Sequence, residues 1–235
     1  IDLGDKQGSV GLISYIRTDS TRISDEARAK CGAYISEKFG KEYVPAVPNV
    51  YGSPKKAQEA HEAVRPTSPD REPESLKNVL SRDQYKLYTL IWERFVASQM
   101  ESAVMNTTLV DISAGDYLFK ASGSTVEFPG FLKLFIDRKS KGISEVTETL
   151  LPELNKDDVL KVKSLDPKQH FTQPPARYTE GSLVKALEDL GIGRPSTYAP
   201  IIETIVSRGY VVRDCLLYTS PSARDMRRSR MPSSA

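Results

Sequence analysis

Gly11-Leu12-Ile13-Ser14-Tyr15-Ile16-Arg17-Thr18-Asp19-Ser20-Thr21-Arg22 crowds a phenol, guanidinium groups, a carboxylate and several hydroxyls into one short stretch. The alternation over Leu12–Arg17 predicts a short strand with Ile13, Tyr15 and Arg17 on one face. A phenol with a pKa of about 10 is only about 0.1% ionised at pH 7, so a nucleophilic tyrosine needs cationic neighbours or a base. Arg17, on the face of Tyr15, would neutralise the charge that grows on a phosphodiester under attack by a tyrosyl oxygen. Thr18, Ser20 and Thr21 offer hydroxyls to phosphate oxygens, and Asp19 can orient Arg17 or Arg22. The plain alternative is a half-buried tyrosine packing on a strand, and Tyr-x-Arg alone does not choose between the two.

Downstream, Ala60-His61-Glu62-Ala63-Val64-Arg65-Pro66-Thr67 holds one of the two histidines. A helix over Gln58–Val64 would set His61 and Glu62 beside Arg65 at an end enforced by Pro66. An imidazole there can donate to a phosphate or relay a proton near the phenol; the competing reading is a surface histidine in a solvated helix. A loop, Gly191-Ile192-Gly193-Arg194-Pro195-Ser196, leads into a second helix, and on the residues alone Arg194 reads as a side chain that stabilises the turn.

The 235 residues leave room for one or two domains with a proper core. With 39% hydrophobic and 27% charged residues the chain is too apolar for a disordered protein. No run approaches the roughly 18 apolar residues of a membrane span. Ile1–Lys6 has neither the basic start nor the apolar run of a signal peptide, and the missing initial Met reads as a fragment or a processed chain. Cys31 and Cys215 are too few for a disulfide scaffold or a four-cysteine zinc site, so reduced cytoplasmic thiols are expected. The net charge is +2, but residues 1–214 hold 29 Lys and Arg against 30 Asp and Glu, a net −1. Any binding to nucleic acid must therefore come from local placement of cations.

The elements read as an α+β chain. In residues 1–101, Ser24 caps a helix with Cys31, Tyr34, Ile35 and Phe39 as apolar positions and Gly40 as its stop. A loop spans about Pro45 to Lys56, and Ser81 with Gln84 forms a capping box for a helix whose stripe is Tyr88, Ile91, Trp92, Phe95 and Val96. Residues 102–170 carry strand signals: Thr107–Ile112 and Tyr117–Lys120 as a hairpin, then Val126–Phe128 and Val159–Val162, with a charged segment between these last two. Residues 171–214 are helical again, with Thr179 starting one helix and a second beginning near Ser196 or Thr197, because Pro200 fits only a first turn. The strand Tyr210-Val211-Val212 completes a winged-helix-like order. Residues 215–235, rich in Ser, Arg and Pro, resemble translated adaptor sequence and are set aside as a non-native tail; a genuine disordered basic tail is the alternative.

Three of these stretches resemble one family. Gly11–Arg22 closely resembles the active-site tyrosine motif of bacterial type IA DNA topoisomerases, Ala60–Thr67 the same family's downstream histidine motif, and Gly191–Ala199 its helix-turn-helix segment. The three stand in the family's order, and the resemblance covers about residues 1–214. Ile16, between Tyr15 and Arg17, is similar to the topoisomerase I branch, where the topoisomerase III branch more often carries Pro.

The resemblance implies a fragment of an interrupted toroid: a winged-helix-like catalytic domain over 1–101, a β-rich arch segment over 102–170, and an incomplete helical single-strand-binding segment over 171–214. It implies ATP-independent relaxation of negatively supercoiled DNA, with Tyr15 forming a 5′-phosphotyrosyl intermediate and Arg17 stabilising the cleaved phosphate. Asp19, Thr21, His61, Arg65, Arg194, Ser196 and Thr197 would contact DNA. The family's Mg²⁺ ligands lie on an N-terminal Toprim domain, and nothing here matches that acidic pattern; Asp157-Asp158 reads as solvated. No metal is therefore expected in this chain, and it is expected to be inactive alone. Single-stranded and negatively supercoiled DNA are the implied partners of a monomer in the cytoplasm, on the nucleoid, away from membranes. One rival is a non-catalytic winged-helix DNA-binding module. Another, a tyrosine recombinase, needs its Arg and His ahead of a C-terminal Tyr, the reverse of the order here.

Overall fold

In the computed structural model, which describes residues 1, 8–51, 61–138, 150–173, 175–214 and 217–219, the chain forms two compact units, Ile1–Lys161 and Val162–Ala235. The first is built on two helices whose starts are written locally. Ser24 accepts the Ala27 N–H to begin α1, Asp25–Lys38, with Asp25 and Glu26 against the positive end of its dipole. Gly40, at φ +117°, turns the chain away after the Phe39 cap. The capping box of Ser81 and Gln84 starts α2, Arg82–Ser98.

The inward faces of these helices meet in one core. Cys31, Tyr34 and Ile35 from α1 pack with Tyr88, Trp92, Phe95 and Val96 from α2, and Leu12, Leu76 and Met100 join them. Tyr34 meets Trp92 edge-on at 5.8 Å. The polar tips of the buried aromatics find acceptors in the chain ahead of α2: Trp92 Nε1 donates to the Pro69 carbonyl at 2.8 Å, and Tyr88 to that of Arg71 at 2.7 Å. Burial, with the charge of Asp70, pushes the Cys31 thiol up to about 12, which makes it inert packing at neutral pH. Cys215 lies outside the described residues.

The predicted hairpin forms, and it is longer than predicted. β1, Val104–Ala114, pairs antiparallel with β2, Tyr117–Phe128, in a register running from Ala114 opposite Tyr117 to Val104 opposite Phe128. Gly115 takes φ +61° in the connecting turn. At its base Phe128 stacks on Tyr43, ring centres 5.0 Å apart. The charged segment that follows is not all irregular: α3, Leu132–Arg138, buries Leu134 and Phe135. Arg138 reaches Glu74 at 2.6 Å and Glu93 at 3.0 Å and lies over the Trp92 ring at 5.0 Å. Residues 139–149 lie outside the described residues, and Val159–Val162, expected as strand, has no regular structure and no strand partner there.

The second unit has α4, Glu180–Asp189, started by a capping box of Thr179 and Ser182, and α5, Tyr198–Ser207, with Pro200 in its first turn as expected. Its three-stranded sheet runs in the order β3 (Tyr178–Thr179), β5 (Leu217–Thr219), β4 (Val212–Asp214), all antiparallel. The strand expected at Tyr210-Val211-Val212 starts later, because the N–H groups of Tyr210 and Val211 turn back to the Ile205 carbonyl at the end of α5.

Candidate active site

The tyrosine stretch is not the predicted strand. Leu12–Ser14 is extended, but only Ile13 forms a bridge, with Pro66, and the chain bends at Ile16 and Arg17. Pro66 lacks an N–H and cannot extend a ladder. Beyond Ser14 the hydroxyls compete for the backbone: Thr18 Oγ1 accepts from Ser20 N–H at 3.0 Å, and Ser20 Oγ from Arg22 N–H at 3.2 Å. Tyr15, Ile16 and Arg17 are consequently all exposed, Tyr15 by 58%, rather than alternating in and out.

The histidine stretch is fastened to it along its length. Ser14 N–H donates to the Arg65 carbonyl and Thr67 N–H to that of Leu12, both at 2.9 Å, while Ala63 N–H donates to the Arg22 carbonyl at 2.8 Å. Thr67 Oγ1 adds a bond to the Gly11 carbonyl at 2.7 Å. The Ser14 hydroxyl donates to the Ala63 carbonyl at 2.8 Å and accepts the Arg65 N–H at 2.9 Å. With these N–H groups engaged across the chain, residues 61–64 are not the predicted helix; residues 58–60 of that prediction lie outside the described residues.

This pairing puts the His61 ring 5.2 Å from the Tyr15 ring, tilted by 52°. Arg17 is exposed and makes no hydrogen bond or ion pair among the described residues, so its guanidinium is available to an anion. Asp19 is half-buried, and the Thr21 hydroxyl points at the Tyr51 carbonyl at 3.5 Å. Arg65 is more engaged: its side chain is 17% exposed, with Nε and Nη2 on Glu62 at 3.0 and 2.6 Å and Nη1 on the Pro66 carbonyl at 3.2 Å. Partial burial works against the Glu62 carboxylate, but hydrogen bonds from Arg65 and Ser24, with the charges of Arg65 and Arg22, outweigh it and hold its pKa below the ordinary range. Reading the sequence passed over Ser14 as a working side chain. Its signal is the facing motif some fifty residues away, which no local pattern carries.

Arg194, Ser196 and Thr197 belong to the second unit, exposed in the loop between α4 and α5. Thr197 Oγ1 accepts the Arg194 N–H at 2.8 Å and returns a bond to the Arg194 carbonyl at 3.1 Å, so this hydroxyl closes the loop. Gly193 takes φ +82°, where a Cβ would come within 2.9 Å of Ile201.

Among the described residues no three His, Cys, Asp or Glu gather as metal ligands. Asp157 and Asp158 are exposed, and the Asp158 carboxylate accepts the Asn155 N–H at 2.7 Å. Mg²⁺ therefore finds no ligand set among the residues described. No helix among them is long and apolar enough to cross a membrane.

The sequence profile of a family described as DNA topoisomerase matches residues 8–225. The solved structure of full-length topoisomerase I from Thermotoga maritima superposes with a TM-score of 0.70 at 37% identity, over 92% of this chain and 34% of that one. The chain thus spans about a third of that protein's length.

Proposed function

Because this chain belongs to the bacterial type IA DNA topoisomerases, we propose that it supplies the nucleophile of a transient single-strand break that relaxes negatively supercoiled DNA without ATP. The observation that carries the reading is an exposed Tyr15 ring held 5.2 Å from the His61 ring by two motifs fastened together across the chain.

The Tyr15 phenolic oxygen attacks the phosphorus of a single strand. The new O–P bond forms as the bond from phosphorus to the 3′ oxygen breaks, leaving a 5′-phosphotyrosyl strand and a 3′ hydroxyl. The phenol gives up its proton as it attacks and the departing 3′ oxygen takes one up, so the step is proton-neutral, and the His61 imidazole, its ring 5.2 Å from the Tyr15 ring, is placed to carry the proton between them. Arg17 meets the charge growing on the phosphate. Bond energy is conserved in the ester, so the 3′ hydroxyl reverses the step after the other strand has passed. His61, Arg65, Asp19 and Thr21 contact the strand near the break; Arg194 and Ser196, in the second unit, contact DNA, with Thr197 acting by shaping their loop. Residues 1–101, 102–170 and 171–214 serve as catalytic, arch and strand-holding segments. The enzyme acts as a monomer on the nucleoid, and cleavage requires a Mg²⁺-bearing region beyond the residues present here.

The test is covalent capture. Full-length protein incubated with labelled single-stranded DNA and Mg²⁺, then denatured, yields DNA that migrates with protein; Tyr15→Phe abolishes this and retains DNA binding. Binding without linkage in the unaltered protein would instead make the chain a non-catalytic DNA-binding module.

A further inference from the structure

Tyr15 and His61 are brought together by backbone, and one side chain decides how. Ser14 precedes the tyrosine, and its hydroxyl lies between the two motifs, giving its proton to the Ala63 carbonyl at 2.8 Å and taking the Arg65 N–H at 2.9 Å. Its own N–H closes a third bond to the Arg65 carbonyl at 2.9 Å. These contacts grip Ala63, two residues after His61, and Arg65 itself. The other cross-links, Thr67 to Gly11 and Leu12 and Ala63 to Arg22, lie at the two ends of the paired stretch. The ion pair of Arg65 with Glu62 is internal to this segment, and the hydrogen bond that the Glu62 carboxylate takes from Ser24 ties it down beyond Arg22, at the end of the paired stretch far from Tyr15.

We infer that Ser14 is a positioning residue of the proposed reaction: its hydroxyl sets the register of the His61–Arg65 segment against the Tyr15 phenol. The inference rests on the reading of Tyr15 as the nucleophile. Without the hydroxyl a partly buried N–H and a carbonyl lose their partner together, and the segment relieves this by sliding or tilting. The imidazole then leaves its place beside the phenol, and a displacement on the order of 1 Å costs up to about 100-fold in rate. Ser14 touches no substrate itself. Thr keeps the hydroxyl, and its β-branch suits extended backbone.

The experiment is single-turnover cleavage of labelled single-stranded DNA by full-length protein with Mg²⁺, reading rate constant and amplitude separately. Ser14→Ala is expected to lower the rate constant about 10-fold or more at unchanged amplitude and unchanged DNA affinity, and Ser14→Thr to restore it to within about threefold. A merely structural role would lower the amplitude, the fraction of competent molecules, and leave the rate constant alone; that result overturns the inference, as does a normal rate for Ser14→Ala. Should Ser14→Ala not fold, Ser14→Cys, whose thiol bonds weakly, must react more slowly than Ser14→Thr, and equal rates reject the proposal. Loss of linkage in the unaltered protein, or its survival in Tyr15→Phe, would fail the reading of Tyr15 instead.

Discussion

The helical body around Trp92 and the β1–β2 hairpin sit in the same compact unit and are held by opposite means. The body joins residues far apart in sequence: Leu12, Tyr34, Leu76, Trp92 and Leu134 share one core, and polar groups of distant segments are paired across it. Beyond its base, where Phe128 packs on Tyr43, the hairpin is held by its own ladder and a turn at Gly115, while Leu109, Tyr117 and Leu118 stay exposed, Leu109 by 77%. A two-stranded ladder is marginal alone. The proposed active site depends on the body, since Leu12 is buried in its core two residues before the hydroxyl of Ser14. A perturbation of the core should reach Tyr15, and one at the hairpin's exposed face should not.

Trp92→Ala is the harshest way to break this contrast. It empties the centre of the core and removes the bond to Pro69, and is expected to cost about 3–5 kcal/mol in chemical unfolding followed by far-ultraviolet circular dichroism and tyrosine signals, with loss of DNA linkage in parallel. Arg138→Ala comes next, at about 3 kcal/mol, because the buried Glu93 loses its ion pair with Arg138 while Trp92 loses the guanidinium above it. Unfolding of Glu93→Gln with Arg138→Ala should recover part of that loss.

A smaller effect is set by pH at the histidine segment. The Glu62 carboxyl is held below its ordinary value of 4.5, so its contribution is complete above that value and is lost as pH falls through the folded-state pKa. Amide exchange at Ala63 and Arg65 is therefore expected to speed up on acidification below about pH 4.5 beyond its intrinsic change, and Glu62→Gln should remove that extra dependence. Smallest of all, Leu109→Ala on the hairpin is expected to change stability by less than about 0.5 kcal/mol and to leave linkage intact. A large loss there would show that the hairpin supports the site after all.

Elements with local signals were legible. Ser24, Ser81 with Gln84, and Thr179 each announce a helix through caps that involve neighbours a few residues away, and Gly115 announces a hairpin. Elements decided by distant partners were not. Leu12–Arg17 alternates like a strand, but its bridge partner is a proline and the hydroxyls just after it bind backbone. The segment after Ala60 has helical spacing, but its N–H groups go to Arg22 and Ser14. Within the candidate site, the residue types at Tyr15, Arg17 and His61 were readable. The grip of the Ser14 hydroxyl on Ala63 and Arg65, and of Thr197 on its own loop, was visible only in three dimensions.

The most direct measurement is to find the atom that holds the DNA. Trapped covalent complex, digested with nuclease and trypsin and examined by mass spectrometry, should give the peptide ending at Arg17 with a nucleotide joined through its 5′ phosphate to Tyr15. A nucleotide on any other residue, or complete recovery of that peptide unmodified from trapped complex, would contradict the account.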